Sequence, residues 1–142
     1  GATPEQAAGL DRYGRRVGAA FQVQDDVLDL TGDESVVGKT LGRDLKKGKV
    51  TLPLIRHLGA LDAPSRGESL SALEAVSEAG GDDDSRSGAI LTALGRTDSI
   101  ASATGTAQQL VDEAKRALAP LPASSAKQTL ELLADAVLTR DR

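Results

Sequence analysis

Only two aromatic side chains, Tyr13 and Phe21, occur among the 142 residues of this chain. Aromatic rings ordinarily supply much of the area a core buries, so here alanine and the aliphatic residues must fill it. Small side chains fill a core best where backbones approach closely, and alanine and leucine are strong helix formers. Helices packed on helices are what such a composition favours. Strand signals are weak, because no segment alternates apolar and polar residues over more than a few positions. The length is one domain's worth, enough to enclose a core, although the hydrophobic share of 39% is somewhat low.

Punctuation divides the chain into about six helices. Thr3 is an N-cap candidate followed by Pro4 at the first helical position, and the pattern it opens runs to Leu30 before Thr31-Gly32. That rod is roughly 40 Å long at about 1.5 Å per residue. A Gly- and charge-rich loop is expected over 31–50. A second helix starts at Thr51, with Pro53 in its first turn and Leu54, Ile55 and Leu58 inward. The third starts at Ser69, carries Leu70, Leu73 and Val76, and stops at Gly80-Gly81. The fourth runs from about Asp83 to Leu94. Thr97 or Asp98 caps the fifth, whose apolar face is Ile100, Ala103, Ala107, Leu110, Val111, Ala114 and Leu118, and Pro120 and Pro122 end it. Ser124 or Ser125 caps the last, with Leu130, Leu133, Ala134, Val137 and Leu138 inward.

Charge and composition exclude several function classes. A net charge of −4 suits a soluble protein and argues against nucleic-acid binding. The lack of cysteine removes disulfides and thiolate metal sites, which fits a cytoplasmic protein. No membrane span or secretory leader is evident. Methionine is absent even at position 1, so a processed form, a cloned segment or a proteolytic remnant is expected.

The first helix carries the most specific chemistry. On a wheel of about 100° per residue with Gln22 at zero, Asp25 falls at about −60°, Asp29 at about −20° and Asp26 at about +40°. Asp11, Arg15 and Gly18 project onto the same arc. Leu10, Tyr13, Val17, Ala20, Phe21, Val23, Val27, Leu28 and Leu30 lie opposite, which predicts a core stripe on one side and a strip of oxygen ligands on the other. Three carboxylates within two turns repel one another, and Asp26 and Asp29 sit where the helix dipole disfavours negative charge. A hard divalent cation such as Mg²⁺ compensates all of this, and commonly completes its shell with phosphate oxygens. The plain alternative is a solvated acidic face.

The segment that follows is basic and glycine-rich. From Lys39 to Lys49 there are five basic residues, Lys39, Arg43, Lys46, Lys47 and Lys49, and one acid, Asp44. Glycines let backbone N–H groups approach an anion, and lysines supply point charges. Carboxylates beside such a loop suit a metal–diphosphate complex, with metals on one side and ammonium groups on the other. Gly38-Lys39-Thr40 is not the end of a P-loop, since that motif needs glycine where Asp33 stands, and a strand rather than a helix before it. Without the carboxylates, an ordinary solvated connection would explain the loop.

Gly18-Ala-Ala-Phe21-Gln22-Val-Gln-Asp25-Asp26-Val-Leu-Asp29, followed by Gly32-Asp33, Gly38-Lys39, Gly42-x-Asp44 and Gly48-Lys49-Val-Thr51-Leu52-Pro53, resembles the second aspartate-rich region of trans-isoprenyl diphosphate synthases. Leu132 to Arg142 is similar to that family's last helix. The resemblance implies an all-α helical bundle fragment of the isoprenoid synthase fold, with 1–142 its C-terminal portion. It implies a magnesium-dependent condensation of isopentenyl diphosphate with an allylic diphosphate. Carried over by position, Asp25, Asp26 and Asp29 are metal ligands, Lys39 and Lys49 contact the allylic diphosphate, and Gln22 lies near the reacting allylic carbon. Thr51-Leu52-Pro53-Leu54 leans toward long-chain products such as octaprenyl diphosphate.

The family's first aspartate-rich motif and its isopentenyl diphosphate residues belong upstream and are not in this sequence. The chain alone is therefore expected to be inactive, to bind Mg²⁺ weakly or not at all, and to self-associate as a homo-oligomer. A noncatalytic helical subunit of a heteromeric synthase is the competing reading. His57 is expected at a partly exposed surface position, Asp82-Asp83-Asp84 in an interhelical turn, and Tyr13 and Phe21 in the core.

Overall fold

The computed structural model describes residues 1–31, 42–78 and 84–140. Among these it is all-helical, with α1 Pro4–Thr31, α2 Arg43–Lys46, α3 Leu52–Ala60, α4 Ala63–Glu78, α5 Asp84–Gly95, α6 Ser99–Ala117 and α7 Ser125–Leu138. The seventh helix, beyond the six expected, is the short α2 inside the expected loop. α4 begins six residues before the expected Ser69, at Ala63, after Asp62 whose side chain accepts from the Ser65 N–H at 3.0 Å. The expected stop at Gly80-Gly81 and the turn at Asp82-Asp83 lie outside the described residues.

Caps account for the ends of α1 and α7. Thr3 Oγ1 accepts from the Gln6 N–H at 3.2 Å while Gln6 Oε1 accepts from the Thr3 N–H at 3.0 Å, a reciprocal capping box. Ser124 Oγ accepts from the Lys127 N–H at the start of α7.

The chain divides into two compact units, Gly1–Gln24 with Thr104–Asp141, and Asp25–Ala103. In the first, Tyr13 and Ala20 of α1 pack with Val111, Ala114, Ala117 and Leu118 of the α6 region and with Ala134 and Val137 of α7. Tyr13, buried as expected, donates its hydroxyl to the Leu130 carbonyl at 2.7 Å. Three residues of this unit expected in the core are exposed instead. Phe21 is 45% exposed with the Arg140 guanidinium 4.1 Å from its ring centroid, and Leu133 is likewise exposed, as is Leu10. A cation over the ring face stabilises an aromatic residue at the surface.

In the second unit, Leu30, Leu45, Leu54, Val76, Ile90 and Leu94 form the core, with α4 packed against α2, α3 and α5. His57, expected near the surface, is 3% exposed, with Nδ1 3.1 Å from Thr97 Oγ1. Among the described residues no helix is long and apolar enough to cross a membrane.

Candidate functional site

The last turns of α1 present Asp25, Asp26 and Asp29, and the segment 42–50 folds back onto them within the second unit. Two glycines make the fold-back achievable. Gly42 and Gly48 have φ of +69° and +67°, a left-handed conformation that a Cβ would strain. At Gly48 a Cβ would also come 2.7 Å from Ser77 Oγ. Between the two glycines, α2 supplies one turn whose Leu45 is buried in the core, so the segment is anchored by apolar packing as well.

Hydrogen bonds then tie the segment to α1. The Gly42 N–H donates to the Asp29 carbonyl at 2.7 Å, one of the carbonyls that a helix end leaves without an intrahelical partner. The Asp44 N–H donates to Asp29 Oδ2 at 3.0 Å. Lys49 Nζ lies 3.0 Å from Asp26 Oδ1 and 2.7 Å from Asp44 Oδ2, and the Lys49 N–H donates to the Asp44 carbonyl at 2.9 Å. Asp44, and after it Asp26, hold the Lys49 ammonium well above the ordinary lysine range. These contacts answer the adverse electrostatics of the aspartate cluster: donors from 42–49 neutralise what the helix dipole disfavours.

The expected strip of oxygen ligands is covered in part. Asp26 and Asp29 are 6% and 7% exposed, covered by the chain's own segment, while Asp25 is half-buried. The wheel places the three on one flank but carries no information about residues fifteen or twenty positions later that pack over it. Gln22 is exposed one turn before Asp25. Lys49 is brought to the carboxylates, whereas Lys39 lies outside the described residues. Asp44 was not among the expected site residues. The signal available for it was its place as the one acid among five bases.

The donors suit a hard cation in kind, being carboxylate oxygens, but not in number. Among the described residues no group of three or more His, Cys, Asp or Glu side chains is placed to hold a metal ion.

Comparison with known proteins bears on what this arrangement serves. A family model described as polyprenyl synthetase matches residues 1–85. The short chain isoprenyl diphosphate synthase of Methanothermobacter thermautotrophicus is 33% identical over 141 residues, 99% of this chain and 42% of that protein. The octaprenyl diphosphate synthase of Escherichia coli is 36% identical over 151 residues, 100% of this chain and 42% of that protein. Among solved structures, geranylgeranyl pyrophosphate synthetase from Pyrococcus horikoshii has a TM-score of 0.86 at 35% identity, covering 98% of this chain and 41% of its own. Polyprenyl synthase from Caulobacter crescentus, complexed with calcium and isoprenyl diphosphate, has a TM-score of 0.82 at 28% identity over 99% of this chain and 42% of its own. The chain thus spans about 42% of the length of the curated relatives it matches.

Proposed function

The chain belongs to the polyprenyl synthetase family, and we propose that it is the C-terminal part of a trans-polyprenyl diphosphate synthase that joins isopentenyl diphosphate to an allylic diphosphate. One observation carries this reading: the family match over residues 1–85 contains both the Asp25-Asp26-x-x-Asp29 turn and the Lys49 segment folded upon it. In the whole enzyme Asp25, Asp26 and Asp29 supply oxygens to Mg²⁺, Lys39 and Lys49 contact the allylic diphosphate, and Gln22 lies by the allylic carbon. A divalent cation would there stabilise the departing diphosphate. Among the described residues the carboxylates form no cluster that holds it unaided, and on this reading the chain by itself is inactive.

The test has two arms. Incubated alone with Mg²⁺, isopentenyl diphosphate and farnesyl diphosphate, the chain yields no product; turnover would overturn its inactivity. Coexpressed with the part of the Escherichia coli octaprenyl relative that it does not cover, it restores prenyl transfer. Asp25→Asn then lowers kcat by about a hundredfold, as loss of a group acting on transition-state charge does. Transfer that is indifferent to Asp25→Asn would instead favour the noncatalytic subunit.

Thr51-Leu52-Pro53-Leu54 supports a long-chain product such as octaprenyl diphosphate, and a product no longer than geranylgeranyl diphosphate would exclude it. Exposed Leu10, Phe21, Leu132 and Leu133, all in the first unit, support self-association of the isolated chain. Light scattering that gives a monomer would count against that. Net charge and the lack of cysteine support a cytoplasmic site of action. A tagged copy recovered only with membranes would not fit it.

A further inference from the structure

Asp44 stands at the centre of the contacts described above, though no role has been assigned to it. Its backbone N–H holds Asp29 Oδ2 at 3.0 Å, and its carboxylate holds the Lys49 ammonium at 2.7 Å. That ammonium in turn reaches Asp26 Oδ1 at 3.0 Å. Asp44 therefore touches, directly or through one lysine, two of the three carboxylates at the end of α1.

Each part of Asp44 is itself fixed. Leu45, the next residue, is 4% exposed within the second core, and the Gly42 N–H pins the preceding turn to the Asp29 carbonyl. The turn at Gly48, left-handed and walled by Ser77, brings the chain back so that Lys49 hydrogen-bonds both main chain and side chain of Asp44. A lysine has a flexible four-carbon stem and a point charge. Free in solvent it would sample many rotamers, and its side chain here is still 45% exposed. Two carboxylates at right distances on either side of the ammonium confine it.

We propose that Asp44 is a positioning residue, which orients Lys49 against the Asp26 side of the cluster through its carboxylate and fixes the Asp29 carboxylate through its N–H. It is not itself proposed to touch substrate. The consequence for a diphosphate ligand rests on the functional reading given above; the placement of Lys49 does not.

Substitution separates the two halves of the claim. Asp44→Asn keeps the N–H to Asp29 and the side-chain shape while removing the charge that holds Lys49. Asp44→Glu returns the charge on a longer stem. The first measurement uses the chain itself, with lysine side chains isotopically labelled and their order parameters read by NMR relaxation. Lys49 is expected to be more ordered than exposed Lys47. In Asp44→Asn it falls to the Lys47 level, while Asp44→Glu recovers part of the order and helical circular dichroism is unchanged in both. Equal order of Lys49 in the wild type and in Asp44→Asn would overturn the proposal whatever the chain's activity. The second measurement uses the coexpressed enzyme. There Asp44→Asn raises KM for the allylic diphosphate about tenfold, the scale of one charge-assisted contact, with a smaller change in kcat and partial rescue by Asp44→Glu. A fall in kcat with KM unchanged would overturn the link to the diphosphate and leave the NMR result to judge the placement.

Discussion

The two cores of this chain are built on different terms. In the first unit, Ala20, Ala114, Ala117 and Ala134 make up half of the eight buried members, and most of the set is almost fully hidden. In the second, the cluster formed by the described residues is leucine, valine and isoleucine, with Ala103 buried elsewhere in the unit. Two mostly apolar surface pockets of about 250 and 230 Å³ open beside it, both lined by Leu54, whereas a pocket of about 290 Å³ beside Ala117 of the first core is lined largely by charged residues. Asp26, Asp29, Thr51, His57 and Ser99 are buried in that unit as well. Alanine-rich contact lets helices close up, whereas larger side chains beside open pockets and buried polar groups are packed on fewer sides. The aspartate cluster is housed in the more polar of the two surroundings.

The largest test of this contrast is truncation of one leucine in each core. Leu118 is 0% exposed in the tight one, so Leu118→Ala should cost about 3–4 kcal/mol in urea denaturation. Leu54 is 4% exposed but borders both apolar pockets. Because it already lines open space on two sides, Leu54→Ala should cost less, about 2 kcal/mol. Equal losses would remove the distinction between the cores.

Next in size is the charge at the site. Lys49→Met removes the ammonium that both the buried Asp26 and Asp44 contact. Loss of a partner from a buried charged group costs about 1–3 kcal/mol. Because Lys49 is 45% exposed, water compensates in part, and about 1–2 kcal/mol is expected. The same variant measured in high salt should lose less, since screening weakens the wild-type pair.

These two regions also differ in how far the sequence reveals them. Capping residues and prolines marked the ends of α1, α3 and α7, because a cap is a local event within four residues. The α6 stripe from Ile100 to Leu118 was legible for a similar reason: period and burial agree along one helix. Burial of Asp26 and Asp29 was not legible, since it depends on Gly42, Asp44 and Lys49 arriving from a separate segment. Periodicity placed Phe21 and Leu133 on apolar faces, yet a face can be wider than the neighbour that covers it. α2 escaped notice because one turn, held by Leu45 in the core, has no period to detect. The family resemblance rested on the ordered motif, and the polyprenyl synthetase match bears it out.

A smaller effect comes from His57, again in the second unit. Burial holds its imidazole below the ordinary histidine value of 6.5, and its neutral ring lies by Thr97 Oγ1 and Ser69 Oγ. The unfolded chain, where that value applies, therefore binds a proton more readily than the folded one. Stability from this group is fully present above about pH 7 and is lost as pH falls through 6.5 toward the depressed folded value. Urea midpoints at pH 7.5 and 5.5 should fall more for the wild type than for His57→Gln. A parallel decline in both would remove the contribution of this ring to the polar character of the second core.

The smallest expected effect has the opposite sign. Gln24, at the end of the first unit's stretch of α1, is 8% exposed, and its Oε1 is buried without a hydrogen-bond partner. A buried acceptor with no donor forfeits the hydrogen bonds it made to water in the unfolded chain. Methionine has a similar length and no such demand, and its flexible stem adapts to the space available. Gln24→Met should therefore raise stability by about 0.5–1 kcal/mol in urea denaturation, against the general tendency of substitutions to destabilise. If it destabilises instead, the amide has a donor within reach, and the first unit accommodates buried polar groups as the second does.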